Sequence, residues 1–231
     1  MLSLLHLDSS ARPGRSDRQR HGSHTRRLTA RFIDRWLAAR PGDRVVYRDV
    51  GQAPPAPVSG RWIHAAFTPP QRREPWMHEV LAESDALVDE LVASDLVVIG
   101  VPMYNFGMPA QLKAWIDNIV RVGRTFGFDR NRAGEPCWPL LAGQGRRVVL
   151  LSSRGDHGYG PGGRLAADNH VERGVLTPLR YIGIECAGQV AVEYDEFADG
   201  RLQASLRQAE AGVDALVDRL LAEVEARAAA A

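Results

Sequence analysis

An α/β domain built on a five-stranded parallel sheet, with helices on both faces, is the architecture this 231-residue sequence predicts. Three observations lead there. Short runs that are apolar on both faces recur along the chain, as a helix-covered parallel sheet requires. Amphipathic helical patterns lie between them. No internal repeat or linker divides the sequence, so residues 1–231 read as one domain of ordinary size for a single α/β core.

The strands follow in order. Residues 3–7 (SLLHL) are a short apolar strand, and residues 44–48 (RVVYR) a second with β-branched positions. Residues 96–101 (LVVIGV) and 148–152 (VVLLS) are the third and fourth, and 189–194 (QVAVEY) a weaker, more polar fifth. The helices come between and after. Residues 25–39 carry Leu28, Phe32, Ile33, Trp36 and Leu37, and residues 70–93 carry Trp76, Met77, Val80, Leu81, Leu87, Val88 and Leu91. Residues 109–122 set Leu112, Trp115, Ile116, Ile119 and Val120 on one stripe, and 202–227 form a long amphipathic tail. Five strands in this alternation favour the order 2-1-3-4-5, with a switch point between the first and third.

Bulk properties narrow the function. A formal net charge of +1 creates no general attraction to nucleic acid or an anionic membrane. No apolar run is long enough to cross a bilayer, and MLSLLHLDSS lacks the features of a signal peptide. Cys137 and Cys186 form no metal or redox spacing and suit a reducing cytoplasm.

Ligands of such sheets sit beyond the carboxyl ends of the strands, so three loops matter. The loop after the first strand, DSSARPGRSDRQRHGSHTRRL, brings Ser9, Ser10, Ser16, Ser23 and Thr25 to the start of a helix. Hydroxyls beside free N–H groups at a helix N-terminus make an anion site, although this is no Walker loop. Helix capping with solvated arginines is the plainer alternative. The loop after the third strand holds Pro102, Met103, Tyr104, Asn105, Phe106 and Gly107 ahead of Pro109. Its aromatics suit a flat ligand, whose polar edge Asn105 and backbone groups would bond. The loop after the fourth strand offers Ser153, Arg154 and Gly155; Gly158, Gly160 and Gly163 match a dinucleotide fingerprint only formally, because Pro161 interrupts them.

Together and in this order, these loops resemble the FMN-dependent NADH-azoreductase and NAD(P)H:quinone oxidoreductase family of flavodoxin-like proteins. PMYNFGMPAQLKAWIDNIVRVGRTF resembles its central signature, LDSSARPGRS…SHTRRL its phosphate loop and SSRG its third flavin loop. The resemblance implies a flavodoxin-like three-layer sandwich. It implies that Ser10, Ser23, His24 and Thr25 hold the FMN phosphate. Pro102, Met103, Tyr104, Asn105 and Phe106 would line the isoalloxazine, with Ser153, Arg154, Gly155 and Asp156. It implies a homodimer with the site near the interface, and ping-pong transfer of two electrons from NADH or NADPH through FMN to quinones or azo compounds. The cofactor carries that chemistry, so neither a catalytic side chain nor a metal ligand is expected.

Two departures stand out. The phosphate loop is longer than the family's, with DRQRHG as the apparent insert, so Ser16 competes with Ser23 and Thr25 for the phosphate; SHTRRL leads directly into the helix and favours the latter pair. Asp156 stands where the family commonly has a second glycine; beside a flavin it would disfavour the anionic reduced form or reject an anionic acceptor, and the plainer reading is a solvated pair with His157. Trp62, Phe67 and Trp76 fit a substrate wall, a subunit contact or plain core. Phe126 and Phe128 fit a pocket roof or core, and His6 a packed strand histidine. A flavodoxin-like electron carrier, against which the near-neutral charge counts, and a repurposed member with altered flavin binding or a specialised biosynthetic substrate are the alternatives.

Overall fold

The structure is a computed structural model and describes residues 1–229. Its strands are β1 (Ser3–Asp8), β2 (Arg44–Asp49), β3 (Leu96–Pro102), β4 (Phe126–Phe128), β5 (Cys137–Pro139), β6 (Arg147–Ser153) and β7 (Glu185–Val192). Its α-helices are α1 (His24–Ala39), α2 (Gly60–Phe67), α3 (Pro75–Val92), α4 (Ala110–Ile119), α5 (Val171–Tyr181) and α6 (Gly200–Ala229). Five strands form one fully parallel sheet in the order β2-β1-β3-β6-β7. Counting sheet strands alone, this is the expected 2-1-3-4-5.

Alternation along the strands builds two cores. Leu5, Leu7, Val97 and Ile99 pack with Leu87, Leu91, Trp115 and Val175 from α3, α4 and α5. Leu4, Val98, Val149 and Leu151 point the other way, onto Phe32 and Trp36 of α1 and Val213 and Val217 of α6. Every residue of central β3 is buried. The helix layers also carry ion pairs: Arg27, Arg31 and Arg35 meet Glu210, Asp214 and Asp218 across α1 and α6.

Several elements differ from the sequence-based expectation. β7 runs from Glu185 to Val192 rather than over 189–194, because pairing with β6 begins at Arg147↔Glu185 and passes a bulge beside Val148. The expected 70–93 helix begins at Pro75, which suits the first helical position. The 109–122 helix ends at Ile119, where the Thr125 hydroxyl donates to the Ile119 carbonyl (2.7 Å). Helix α2 is only eight residues long and α5 is interrupted by Gly174 and Pro178, and each strand of the antiparallel pair β4–β5 has three residues, so none of these is read from the sequence. Phe126 is buried in that pair against Tyr181, and Phe128 is exposed.

Candidate active site

The first wall of the site is the β1–α1 loop. Ser23 caps α1: its Oγ accepts the Arg26 N–H (3.3 Å) and lies 2.9 Å from Thr25 Oγ1. The N–H groups of His24 and Thr25, in the first turn, have no carbonyl partner within the helix. Such an end favours an anion by about 0.3–1 kcal/mol from the helix dipole alone. The lengthened loop folds back on itself. The Ser16 N–H donates to the Ser23 carbonyl (3.1 Å) and the Gln19 N–H to the Arg15 carbonyl (3.0 Å). A Cβ at Gly22 would lie 2.2 Å from the Arg15 carbonyl oxygen, so this close return requires glycine. The Ser16 hydroxyl sits 2.8 Å from His24 Nδ1, behind the imidazole.

A buried arginine holds this wall in place. Arg26 pairs with both oxygens of Asp49, donates to Tyr47 Oη (3.0 Å), and grips the carbonyls of Ser10 and Arg12 (2.8 Å each). Asp8, at the end of β1, joins through Tyr47, Thr29 and Arg26. Burial pushes the Asp8 carboxyl up, but His6 Nε2 at 3.4 Å, Arg26 and the Thr29 hydroxyl outweigh it and hold its pKa below the usual carboxylate value. His6 is a strand histidine packed on Tyr47. The helix approaches closely because Gly100 has no side chain: a Cβ there would lie 2.8 Å from Asp8 Oδ1 and 2.9 Å from Thr29 Cγ2.

The second wall is the β3–α4 loop. Tyr104 and Gly107 bond to each other's backbone in both directions (2.9 and 3.1 Å). Between them Asn105 (φ 46°) and Phe106 (φ 70°) are both left-handed. A tight turn with two such residues normally uses glycine at the second position, so Phe106 is strained. Phe106 is 50% exposed. The Tyr104 hydroxyl accepts the Ala11 N–H (3.1 Å), tying this loop to the first.

The third wall follows β6. The Met103 N–H donates to the Ser153 carbonyl (2.8 Å), which sets the two loops side by side. Arg154 is buried with its guanidinium on Glu172 and Glu193, so it presents backbone to the site. Asp156 bonds Arg164 and His157; the Arg164 contact, followed by the His157 backbone N–H, holds its pKa down to about 2.

These walls enclose a cavity of about 200 Å³. Ser10, Ser23 and His24 line it from the first loop, Pro102, Met103 and Tyr104 from the second, and Ser153, Arg154 and Gly155 from the third. Thr25 is buried behind Ser23, while Asn105, Phe106 and Asp156 stand outside the wall. Three lining residues escaped the sequence reading: Arg12, Asp195 and Glu196. The last two lie just after β7, whose carboxyl end is also at the ligand edge of the sheet; reading that fourth loop would have found them. Hydroxyls, an imidazole, an arginine and a helix N-terminus on one side fit a phosphate. The Pro102–Met103–Tyr104 wall on the other fits a flat ring.

The Flavodoxin_2 family, described as a flavodoxin-like fold, matches residues 3–213. The chain belongs to this flavodoxin-like family. Within it, the chain is 41% identical over 221 residues to an FMN-dependent NADH:quinone oxidoreductase 2 of Colwellia psychrerythraea, covering 96% of this chain and 100% of that one. It is 43% identical over 189 residues to an FMN-dependent NAD(P)H:quinone oxidoreductase 1 of Pseudomonas aeruginosa, covering 81% and 88%. The fold is similar to that of an FMN-dependent NADH-azoreductase from Bacillus anthracis in complex with FMN. Its TM-score is 0.79 at 16% identity, over 95% of this chain and 99% of that one. The loops that line the cavity are thus those of a flavodoxin-like sheet, at its carboxyl edge beside the switch point.

Proposed function

We propose that this chain is an FMN-dependent oxidoreductase that passes two electrons from NADH or NADPH to a quinone or azo compound. The observation that carries the reading is the convergence of three sequence-distant loops on one cavity, with anion donors at one end and an apolar wall at the other. The names of relatives at 41% and 43% identity support it.

Ser10, Ser23, His24 and the Thr25 N–H hold the phosphate, while Ser16 stays behind His24. Pro102, Met103 and Tyr104 carry the ring, with Asn105 and Phe106 at its margin. Ser153, Gly155 and the Arg154 backbone close the far side, and Asp156 stands at the rim. When bound, FMN supplies the two-electron chemistry between nicotinamide and acceptor. The chain binds, orients and excludes water; no side chain is required as nucleophile. Donor and acceptor take turns at one cavity, in a ping-pong cycle. Exposed Ile63, Phe67 and Phe106 offer apolar surface to a second copy, consistent with a homodimer. The free Cys137 and Cys186 suit the cytoplasm.

Purification followed by absorbance spectroscopy tests this. A yellow protein, or one that takes up FMN, is bleached by NADH and reoxidised by benzoquinone. A colourless protein that refuses added FMN overturns the reading; a yellow one that NADH cannot reduce points to an electron carrier.

A further inference from the structure

The cavity contains a contradiction. Its anion end already holds an anion. Asp195 Oδ1 lies 3.0 Å from His24 Nε2, and its Oδ2 lies 3.4 Å from an Arg12 terminal nitrogen. His24 has no nitrogen left over, since Nδ1 is on Ser16. Glu196 brings a second carboxylate to the same wall, folded over Gly155 where a Cβ would touch its Oε1 at 2.3 Å. Like charges at contact distance repel strongly in a partly buried site, so a phosphate and Asp195 cannot share these donors.

The segment bearing these acids is strained at both ends. Tyr194 (φ 72°) and Ala198 (φ 50°) bracket it, both left-handed and neither glycine. Residues held this way persist only where surrounding contacts impose them. Here the contacts can be named: the Tyr194 N–H reaches the Asp156 carbonyl (3.4 Å), the Phe197 N–H donates to the Tyr194 carbonyl (3.1 Å), and the Phe197 ring packs edge-on against Tyr194 and His157. The Asp195 N–H donates to the Arg154 carbonyl and the Glu196 N–H to the Gly155 carbonyl, each at 3.1 Å. Tyr194 stacks on His157, and Phe197 lies under the Arg201 guanidinium. The Asp195 side chain remains 26% exposed, so it has a path out to water. The cavity beneath is also small, about 200 Å³, against roughly 300 Å³ or more for ordinary ligand sites.

We infer that residues 195–197 form a latch in which the Asp195 carboxylate occupies the phosphate subsite, and that an incoming phosphate displaces it by anion exchange on His24 and Arg12. This rests on the FMN reading of the site and adds its regulation. FMN affinity is scaled by the fraction of time the latch is open, so a latch closed nine parts in ten weakens FMN binding about tenfold. The selectivity is for the anion: a flavin without a phosphate has nothing to exchange.

The test is a fluorescence-quenching titration of wild type and Asp195→Asn with FMN and, separately, with riboflavin. Asparagine keeps the shape and removes the charge. Asp195→Asn is expected to bind FMN about tenfold tighter, equivalent to about 1.4 kcal/mol, with riboflavin affinity unchanged. A second variant, Asp195→Ser, shortens the side chain and is expected to act in the same direction. Weaker or unchanged FMN binding in both variants overturns the latch and leaves Asp195 as a support for His24. Equal tightening towards both flavins also overturns it, in favour of a purely steric lid. Wild type that binds neither flavin overturns the cofactor reading itself, and the latch with it.

Discussion

Arg26 and Asp49 meet through two parallel N–H···O bonds of 2.7 Å each, joining the first turn of α1 to the end of β2. The same guanidinium reaches the Ser10 and Arg12 carbonyls, so one side chain sets the shape of the candidate phosphate loop. Removing it strands Asp8 in the interior without its arginine. Arg26→Met is expected to cost about 3–5 kcal/mol in denaturant unfolding. Arg26→Lys recovers little, because an ammonium cannot reproduce the two-pronged grip. A loss below about 1 kcal/mol for Arg26→Met would show the network to be ornamental.

Stability is expected to fall in acid through Asp8 of this cluster and through Asp195 beside it. The Asp8 pKa is depressed in the folded chain. The Asp195 pKa is also depressed, chiefly by its hydrogen bond to His24 and with help from Arg12. A carboxyl whose folded pKa is lowered contributes stability that is full above its unfolded pKa of about 3.9 and is lost as pH falls through the folded value. Thermal midpoints measured between pH 7 and pH 3 should therefore drop below about pH 4. Asp8→Asn should flatten that drop while lowering the midpoint at neutral pH; a variant as steep as wild type would assign the acid limb to other groups.

Phe106 stores strain where the site needs shape. Phe106→Gly removes the left-handed penalty, so the fold is expected to gain about 1 kcal/mol. The exposed ring is lost with it, and with it a margin of the proposed ring site. Unfolding midpoints should rise while FMN affinity or quinone turnover falls. A variant that loses stability would mean that the ring's contacts outweigh the backbone strain.

Gly100 sets the distance between α1 and the sheet. In Gly100→Ala the new methyl meets Asp8 and Thr29 at under 3 Å. Overpacking of this kind costs about 1–3 kcal/mol, and here it lifts the capped end of α1 away from β3. Loss of stability together with weaker FMN binding is expected from parallel unfolding and flavin titrations. Unchanged values in both would show that the helix end has room to move.

The sequence by itself determined the parallel sheet, its strand order, and three of the loops that meet at the cavity. These features are local. Runs such as LVVIGV are buried on both faces wherever they are placed, and stripes such as Leu112–Trp115–Ile116–Ile119 record which side of a helix is covered. The signature around Tyr104 and Asn105 is contiguous, so it too survives in a string of letters. Tertiary structure alone decided the rest. Helix α5 does set Val171, Val175 and Leu179 on one stripe, but Gly174 and Pro178 lower its propensity, so packing against the sheet decides that it is helical. The β4–β5 pair has three residues in each strand and gains its partner only when the chain turns back. Arg26 among six arginines of one loop, and Asp195 at a distance of 171 residues from His24, look like surface charges until folding removes water from between them and their partners. Charge pairing acts through space and leaves no period in the sequence, whereas burial of a strand or helix face does.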